Sequence, residues 1–361
     1  MTEHQRNTLT LLTSDLVGIR SIAEQPDRLA ATIDYVDAFV RRLPHVFVNR
    51  TVRNTKSSLV ATLRPTRTPR IIVHAHLDVV AAPDTQFRAQ IRDGRIYGRG
   101  AYDMKGSAAV MLKLLADLNA RSERPDVGFM FTTDEEIGGL DGVGALLNEG
   151  WRSEIFISLE PTELDICYVQ KGMMRLVIGI PGRAAHGARP WQGENPLAAL
   201  GNGLVALAQA FPVPAPDSWA TTVTPTIVQA GNSENRIPET ATLLLDVRYT
   251  EADDPADVRA RVQHCFPAAT VTGEPIAGGM LYTNPADRYV QQLQHCIRAA
   301  TGHDAQLYRE HYGSDARFFA SAGMPAVCFG PRGANMHADD EYVEIDSLEQ
   351  VYAALHRFVL A

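Results

Sequence analysis

Asp134, Glu135 and Glu136 stand side by side in FTTDEEIGG, directly after the apolar run VGFMF. Adjacent carboxylates repel, and burying them without a counter-charge is costly. Two readings of such a cluster are open: a solvated loop, or a site that holds something cationic. Other residues of ligand type end similar runs. VHAHLDVV has His74, His76 and Asp78 at i, i+2 and i+4, positions that share one face of a strand. SLEPT ends a further run at Glu160, which taken alone could simply close a strand. CFGPRGANMHADDEY places His337 in a loop after the last run, and GRGAYDMKG sets Asp103 among glycines that permit a tight backbone. The donors are imidazole and carboxylate, with no cysteine. That set suits Zn²⁺, with Co²⁺ and Mn²⁺ as alternatives. One shared carboxylate can hold two ions, as hydrolytic two-metal centres require.

These residues are far apart in the chain, so regular elements must bring them together. Helical spacing of apolar positions covers 8–20 and 27–43, as in Leu29, Ile33, Val36, Phe39 and Val40. Strand-like runs at 58–63, 70–80, 127–133 and 154–160 alternate with helical stretches at 107–122 and 142–150. This alternation predicts an α/β fold, a mainly parallel sheet with helices on both faces. Ligand sites in such sheets lie beyond the carboxyl ends of the strands, where these candidates sit. After about residue 171 the order becomes βαββαβ, an α+β unit whose last strand is expected over 269–275. Its joints are VQKG before it and AGGMLYTNP (277–285) after it. A helix (286–301), a strand (325–330) and a final helix (346–360) then resume the first pattern. The expected partition is a domain of 1–170 and 283–361, interrupted by an inserted domain of 171–282.

The totals bound the partners. The chain has 361 residues, 45% of them hydrophobic, with a net charge of −8, which disfavours general nucleic-acid binding. No run is long enough to span a membrane, and the N-terminus lacks the apolar stretch of a signal peptide. The four cysteines form no CxxC and read as reduced packing residues of a cytoplasmic protein.

HLDVV, GRGAYDMKG, TTDEEIGG, SLEPT, AAHGARPWQGENP and MHADDEYV, in this order, resemble the M20 metallopeptidase and deacylase family. The likeness runs over nearly the whole chain. One such motif would be weak; six in register are specific to the family, though not to a substrate. The resemblance implies a dinuclear-metal exopeptidase-like catalytic domain with a ferredoxin-like lid that also forms a homodimer. It implies His76 and Glu160 as ligands of one metal, Glu136 and His337 of the other, and Asp103 as the bridge, followed by a cis peptide to Met104. It implies Asp78 as the orienter of His76 and Glu135 as the general base toward a metal-bound water. It implies His186 as an oxyanion stabiliser reaching a partner's site, and Asn235, Arg248 and Ser314 as substrate-binding residues.

The implied reaction is hydrolysis of the amide bond of an N-acyl amino acid, such as an N-acetylated ornithine, citrulline or lysine. The alternatives on the same centre are a dipeptidase or carboxypeptidase, or a succinyl-diaminopimelate desuccinylase. The desuccinylase type carries arginines just after the joint to the lid, where this chain has Met173 and Met174. The stretches GMLYTNP and GENP are nearer to that type. Some residues have plainer readings. His74 is expected to be structural, hydrogen-bonded beneath the site. Asp134 is expected to be a cap or support. Arg248 reads equally as a salt bridge on a strand. Asp339, Asp340 and Glu341 read as a solvated charge run, one of which could orient His337.

Overall fold

The strands Ile71–His76, Val127–Thr132 and Ile155–Ser158 are buried along their whole length, which requires a layer on each side of them. The computed structural model, which describes residues 3–273, 276 and 279–361, supplies both layers. Ile71, Val73, Phe129 and Phe131 face one core, together with Leu9, Ile33, Val110, Leu114, Leu293 and Leu355 from five helices. Their neighbours in sequence, Ile72 and Met130, face the other, with Val143, Leu146, Phe318 and Phe319. Strict alternation along each strand therefore feeds two cores from one sheet.

The chain divides into two compact units, residues 1–170, 281–310 and 314–361, and residues 171–280 with 311–313. In the first, the sheet runs in the order Phe47–Arg53, Lys56–Thr62, Val127–Thr132, Ile71–His76, Ile155–Ser158, Ala326–Cys328, Ile166–Gln170, Leu281–Tyr282, with Leu307–Glu310 also beside Ile166–Gln170. The central pairings, from Val127–Thr132 to Ala326–Cys328, are parallel; antiparallel strands close the flanks. The strand Phe47–Arg53 is absent from the sequence reading above. It joins its partner through Asn54 and Thr55, both at positive φ, a two-residue hairpin turn whose twist suits the strands. The strand expected over 70–80 stops at His76. Its parallel neighbour has its last paired residue at Thr132, so the chain has no ladder to follow further.

A small sheet, Gly333–Ala334, Tyr342–Glu344, Arg95–Tyr97 and Gln90–Arg92, was also not legible in the sequence. Its strands are two or three residues long, too short for a periodicity to register. It ties the segment before Asp103 to the loop containing His337. The helix Gly106–Asn119 starts three residues after Asp103, and a Cβ at Gly106 would lie 2.6 Å from the Ala101 carbonyl oxygen. Only glycine lets the helix begin so close to the preceding turn.

The second unit is a four-stranded antiparallel sheet in the order Thr222–Ala230, Thr240–Tyr249, Gly172–Pro181, Thr270–Thr272, with the helices Pro196–Ala210 and Pro255–Cys265. Burial alternates along its two central strands, so one face holds a core of Leu176, Ile178, Leu243, Leu245, Leu207 and Val262. Both helices start with proline after a side-chain cap. Asn195 accepts from the Leu197 N–H, and Asp254 from the Ala256 N–H. Met1, Thr2, Glu274, Pro275, Ala277 and Gly278 lie outside the described residues. So do the end of the strand expected over 269–275 and the start of the joint expected at 277–285. Among the described residues no helix is long and apolar enough to cross a membrane.

Candidate metal centre

Val127–Thr132, Ile71–His76 and Ile155–Ser158 are parallel neighbours, so their carboxyl ends fall on one edge of the sheet. His76 is the last residue of its strand. Glu136 lies in the turn Glu135–Ile137 after the second, and Glu160 two residues beyond the third. Asp103 comes from the irregular turn Ala101–Lys105, whose Asp103–Met104 peptide is cis, and His337 from a loop at positive φ. Two groups of donors result, each with all ligand atoms within 4.8 Å of one another: His76, Asp103 and Glu160, and Asp103, Glu136 and His337.

Asp103 belongs to both. Its Oδ1 is 3.0 Å from His76 Nε2 and its Oδ2 is 3.2 Å from His337 Nε2. His337 Nε2 is also 3.2 Å from Glu136 Oε1, and His76 Nε2 is 3.9 Å from Glu160 Oε2. His76 Nδ1 faces the Asp78 backbone oxygen at 3.0 Å and its carboxylate at 3.6 Å. A proton on Nδ1 leaves the Nε2 lone pair aimed at the cluster, the tautomer a metal ligand needs. The Asp78 carboxylate accepts the Glu136 N–H at 2.9 Å, so this residue touches both His76, through its backbone oxygen, and Glu136, through its side chain.

The electrostatics ask for cations. Burial pushes Glu160 and Glu135 well above the usual carboxylate range; the charge of His76 opposes this, and neighbouring carboxylates add to it. Burial would raise Asp103 as well, but hydrogen bonds from His337 and His76 hold it below its ordinary value. Burial would lower His76, but its contacts with Asp103 and Asp78 raise it well above its ordinary value. Hydrogen bonds to Asp103 and Glu136 take His337 up to about 10. Three of the grouped donors, Asp103, Glu136 and Glu160, are carboxylates, whose charge on a metal favours divalent ions. The nitrogen and oxygen donors, the shared carboxylate and this charge all fit a pair of divalent metals.

The supporting residues resolve the sequence cluster. Asp134 Oδ2 accepts the Asp141 and Gly142 N–H groups at 2.8 and 2.9 Å, and so closes the loop after Glu135 and Glu136. Burial, followed by repulsion from Asp315 and Asp78, raises its carboxyl to about 7. His74 is fully buried between Ser158 Oγ (3.0 Å) and Thr132 Oγ1 (2.9 Å) and stacks on Phe156, a structural role. Ser158 in turn donates to Glu160 Oε1 at 3.2 Å. Glu341 corrects the reading of its segment as a solvated run. Asp339 and Asp340 are exposed, but Glu341 is wholly buried on Arg99. A buried acid next to exposed ones has no signature in a single sequence.

Ser314 is buried, its backbone N–H and hydroxyl both donating to Gln170 Oε1. In the second unit, His186 pairs with Arg236 across a two-residue ribbon, its Nδ1 accepting from the Ala188 N–H. The ribbon brings Asn235 beside it, since Gly187 N donates to the Asn235 oxygen at 2.7 Å. Arg248 is bound at both Nε and a terminal nitrogen to the Asp246 carboxylate, the salt-bridge alternative of the sequence reading.

Such a cluster at the strand ends of a parallel sheet can hold metal, and the chain belongs to the peptidase family M20/M25/M40, a family of hydrolases, whose family model matches residues 72–361. It is 32% identical over 322 residues to a succinyl-diaminopimelate desuccinylase of Methylorubrum extorquens, covering 80% of this chain and 82% of that one. Aminopeptidase PepT from Bacillus cereus superposes with a TM-score of 0.80 over 98% of both chains at 18% identity. The YXEP protein of Bacillus subtilis, described as a dinuclear metal binding peptidase, superposes with a TM-score of 0.74 over 100% of this chain and 98% of that one, at 16% identity. At such identities the structural likenesses speak to the fold.

Proposed function

We propose that this hydrolase cleaves the amide bond of an N-acyl amino acid at a dinuclear centre. Its ligands would be His76, Asp103 and Glu160 for one ion and Asp103, Glu136 and His337 for the other. The observation that carries the reading is the shared carboxylate: the two oxygens of Asp103 face two different imidazoles. Zinc, two per subunit, suits the donors best, with Co²⁺ and Mn²⁺ as alternatives. When bound, the ions polarise the scissile carbonyl and acidify the attacking water.

Glu135 lies outside both triads, so its carboxylate is free to accept a proton from that water and hand it to the leaving nitrogen. Water adds to the carbonyl carbon, the carbon–nitrogen bond breaks, and the products are a carboxylic acid and an amine. Asp78 orients His76 and fixes its tautomer. His186 is assigned to the oxyanion, and Asn235, Arg248 and Ser314 to the substrate; Arg248 would then exchange Asp246 for the substrate carboxylate. Residues 171–282 serve as the lid and the dimer contact. The strand Thr222–Ala230, at the sheet edge with Ile227 and Val228 exposed, supports a homodimer through that edge. The four free, buried cysteines support a reducing, cytoplasmic setting.

The sequence reading puts an N-acetylated basic amino acid first. The desuccinylase relatives favour a second reading, an N-succinyl diamino acid. The test is hydrolysis of N-acetylornithine, N-succinyl-diaminopimelate and a dipeptide panel by zinc-loaded protein. Release of acetate or succinate supports an acyl amino acid hydrolase and tells the two apart. Dipeptide cleavage without deacylation would replace it with an exopeptidase.

A further inference from the structure

Glu341 and Arg99 lie behind the metal centre, 0% and 2% exposed. Arg99 donates from one terminal nitrogen to Glu341 Oε2 at 2.5 Å and from the other to the His337 backbone oxygen at 3.0 Å. The second carboxylate oxygen, Glu341 Oε1, accepts the backbone N–H of Tyr102 at 3.0 Å and of Asp103 at 3.1 Å. The Glu341 backbone oxygen accepts from Gly98 N, three residues before that turn begins. One buried ion pair therefore grips two segments separated by more than two hundred residues. The first presents the carboxylate common to both triads; the second presents the histidine of one triad.

A buried ion pair is weak evidence for stability, because desolvation offsets its attraction. Its geometry has to be explained by something else. A packed apolar pair could fill the same volume, but it could not accept two backbone N–H groups while holding a carbonyl on the opposite side. Neither side chain is a candidate ligand.

Building on the two-metal reading above, we infer that Glu341 and Arg99 form a positioning pair that sets the spacing between the shared ligand Asp103 and His337. Glu341 acts on both ions, because it fixes the turn of the bridging carboxylate. Beyond its bond to Glu341, the Arg99 side chain holds the His337 backbone, and so its own reach is to the ion of the second triad. Neither touches substrate, and their effect is on metal affinity rather than on the chemical step.

The test uses the full chain, stripped of metal and titrated with Zn²⁺ against a chromophoric chelator, with bound zinc counted by elemental mass spectrometry. The wild type should take up two ions; one that binds none overturns the two-metal reading, and this inference with it. Glu341→Gln should weaken both ions by roughly 10- to 100-fold, the usual cost of losing an outer-shell partner. Arg99→Lys keeps a cation against Glu341 but loses the planar fork that spans to His337, so it should weaken only one of the two. This second variant keeps the inference testable if Glu341→Gln does not fold. Wild-type affinity in the variants, or equal losses of both ions in Arg99→Lys, would overturn it.

Discussion

At the scale of residues, the three adjacent acids divide their labour. Asp134 closes the loop, Glu135 lies outside the donor groups and Glu136 lies within one. Glu135→Gln should lower turnover by about 10²–10⁴-fold, the range of general-base catalysis. Bound zinc should stay at the wild-type ratio, and persistent activity would remove the base assignment. Asp315 offers a test in pH. Burial raises its carboxyl from 3.8 to about 6, with Arg317 and His76 opposing and Asp78 adding. Between those values the folded protein holds a proton that the unfolded chain has released. Stability therefore falls as pH rises from about 4 to about 6, and the loss is complete above that. Asp315→Asn removes the titration, so in metal-free protein it should gain on the wild type by on the order of 2 kcal/mol between pH 4 and pH 7. Denaturant curves at both pH values measure this, and a pH-independent difference would contradict it.

At the scale of elements, strand ends were legible and short supports were not. The runs ending near His76, Thr132 and Glu160 are apolar because both sheet faces are covered, so their ends stand out in the sequence. The small sheet and the hairpin strand at 47–53 were not legible: the one is too short, the other too exposed and polar, to produce a pattern. The loop after Glu136 has its own marker, Gly142, where a Cβ would lie 2.1 Å from Asp134 Oδ1. Gly142→Ala should force that carboxylate aside and cost about 1–3 kcal/mol, as overpacked sites do. Thermal unfolding reads the loss. Weakened zinc binding should accompany it, because the same loop presents Glu136.

At the scale of the molecule, the two units have separate cores and, among the described residues, only the first contains the donor groups. Metal that binds only the folded state should stabilise by about 4 kcal/mol at a free concentration a thousand times its dissociation constant. Chelation should therefore lower the melting temperature, and readdition of Zn²⁺ should restore it; a melt indifferent to both would exclude a tightly held ion. The proposed dimer makes a separate prediction. Ile227→Lys with Val228→Lys places like charges along the exposed strand edge and should yield a monomer by light scattering, while zinc content is kept. An unchanged dimer would move the interface elsewhere.

The sequence by itself determined the fold class and the βαββαβ order of the second unit, and its family resemblance named the five candidate ligands that the structure groups. Apolar periodicity and strand-end motifs are local, and local pattern survives in one dimension. It could not decide that Glu341 is buried while Asp339 and Asp340 are exposed, that Arg99 is its partner, or that Asp134 is a loop clasp. Nor could it decide that each oxygen of Asp103 faces its own histidine. Those are facts of distance between segments with no periodic relation. Only the tertiary structure, by packing a parallel sheet so that its strand ends share one edge, brings them within a hydrogen bond of each other.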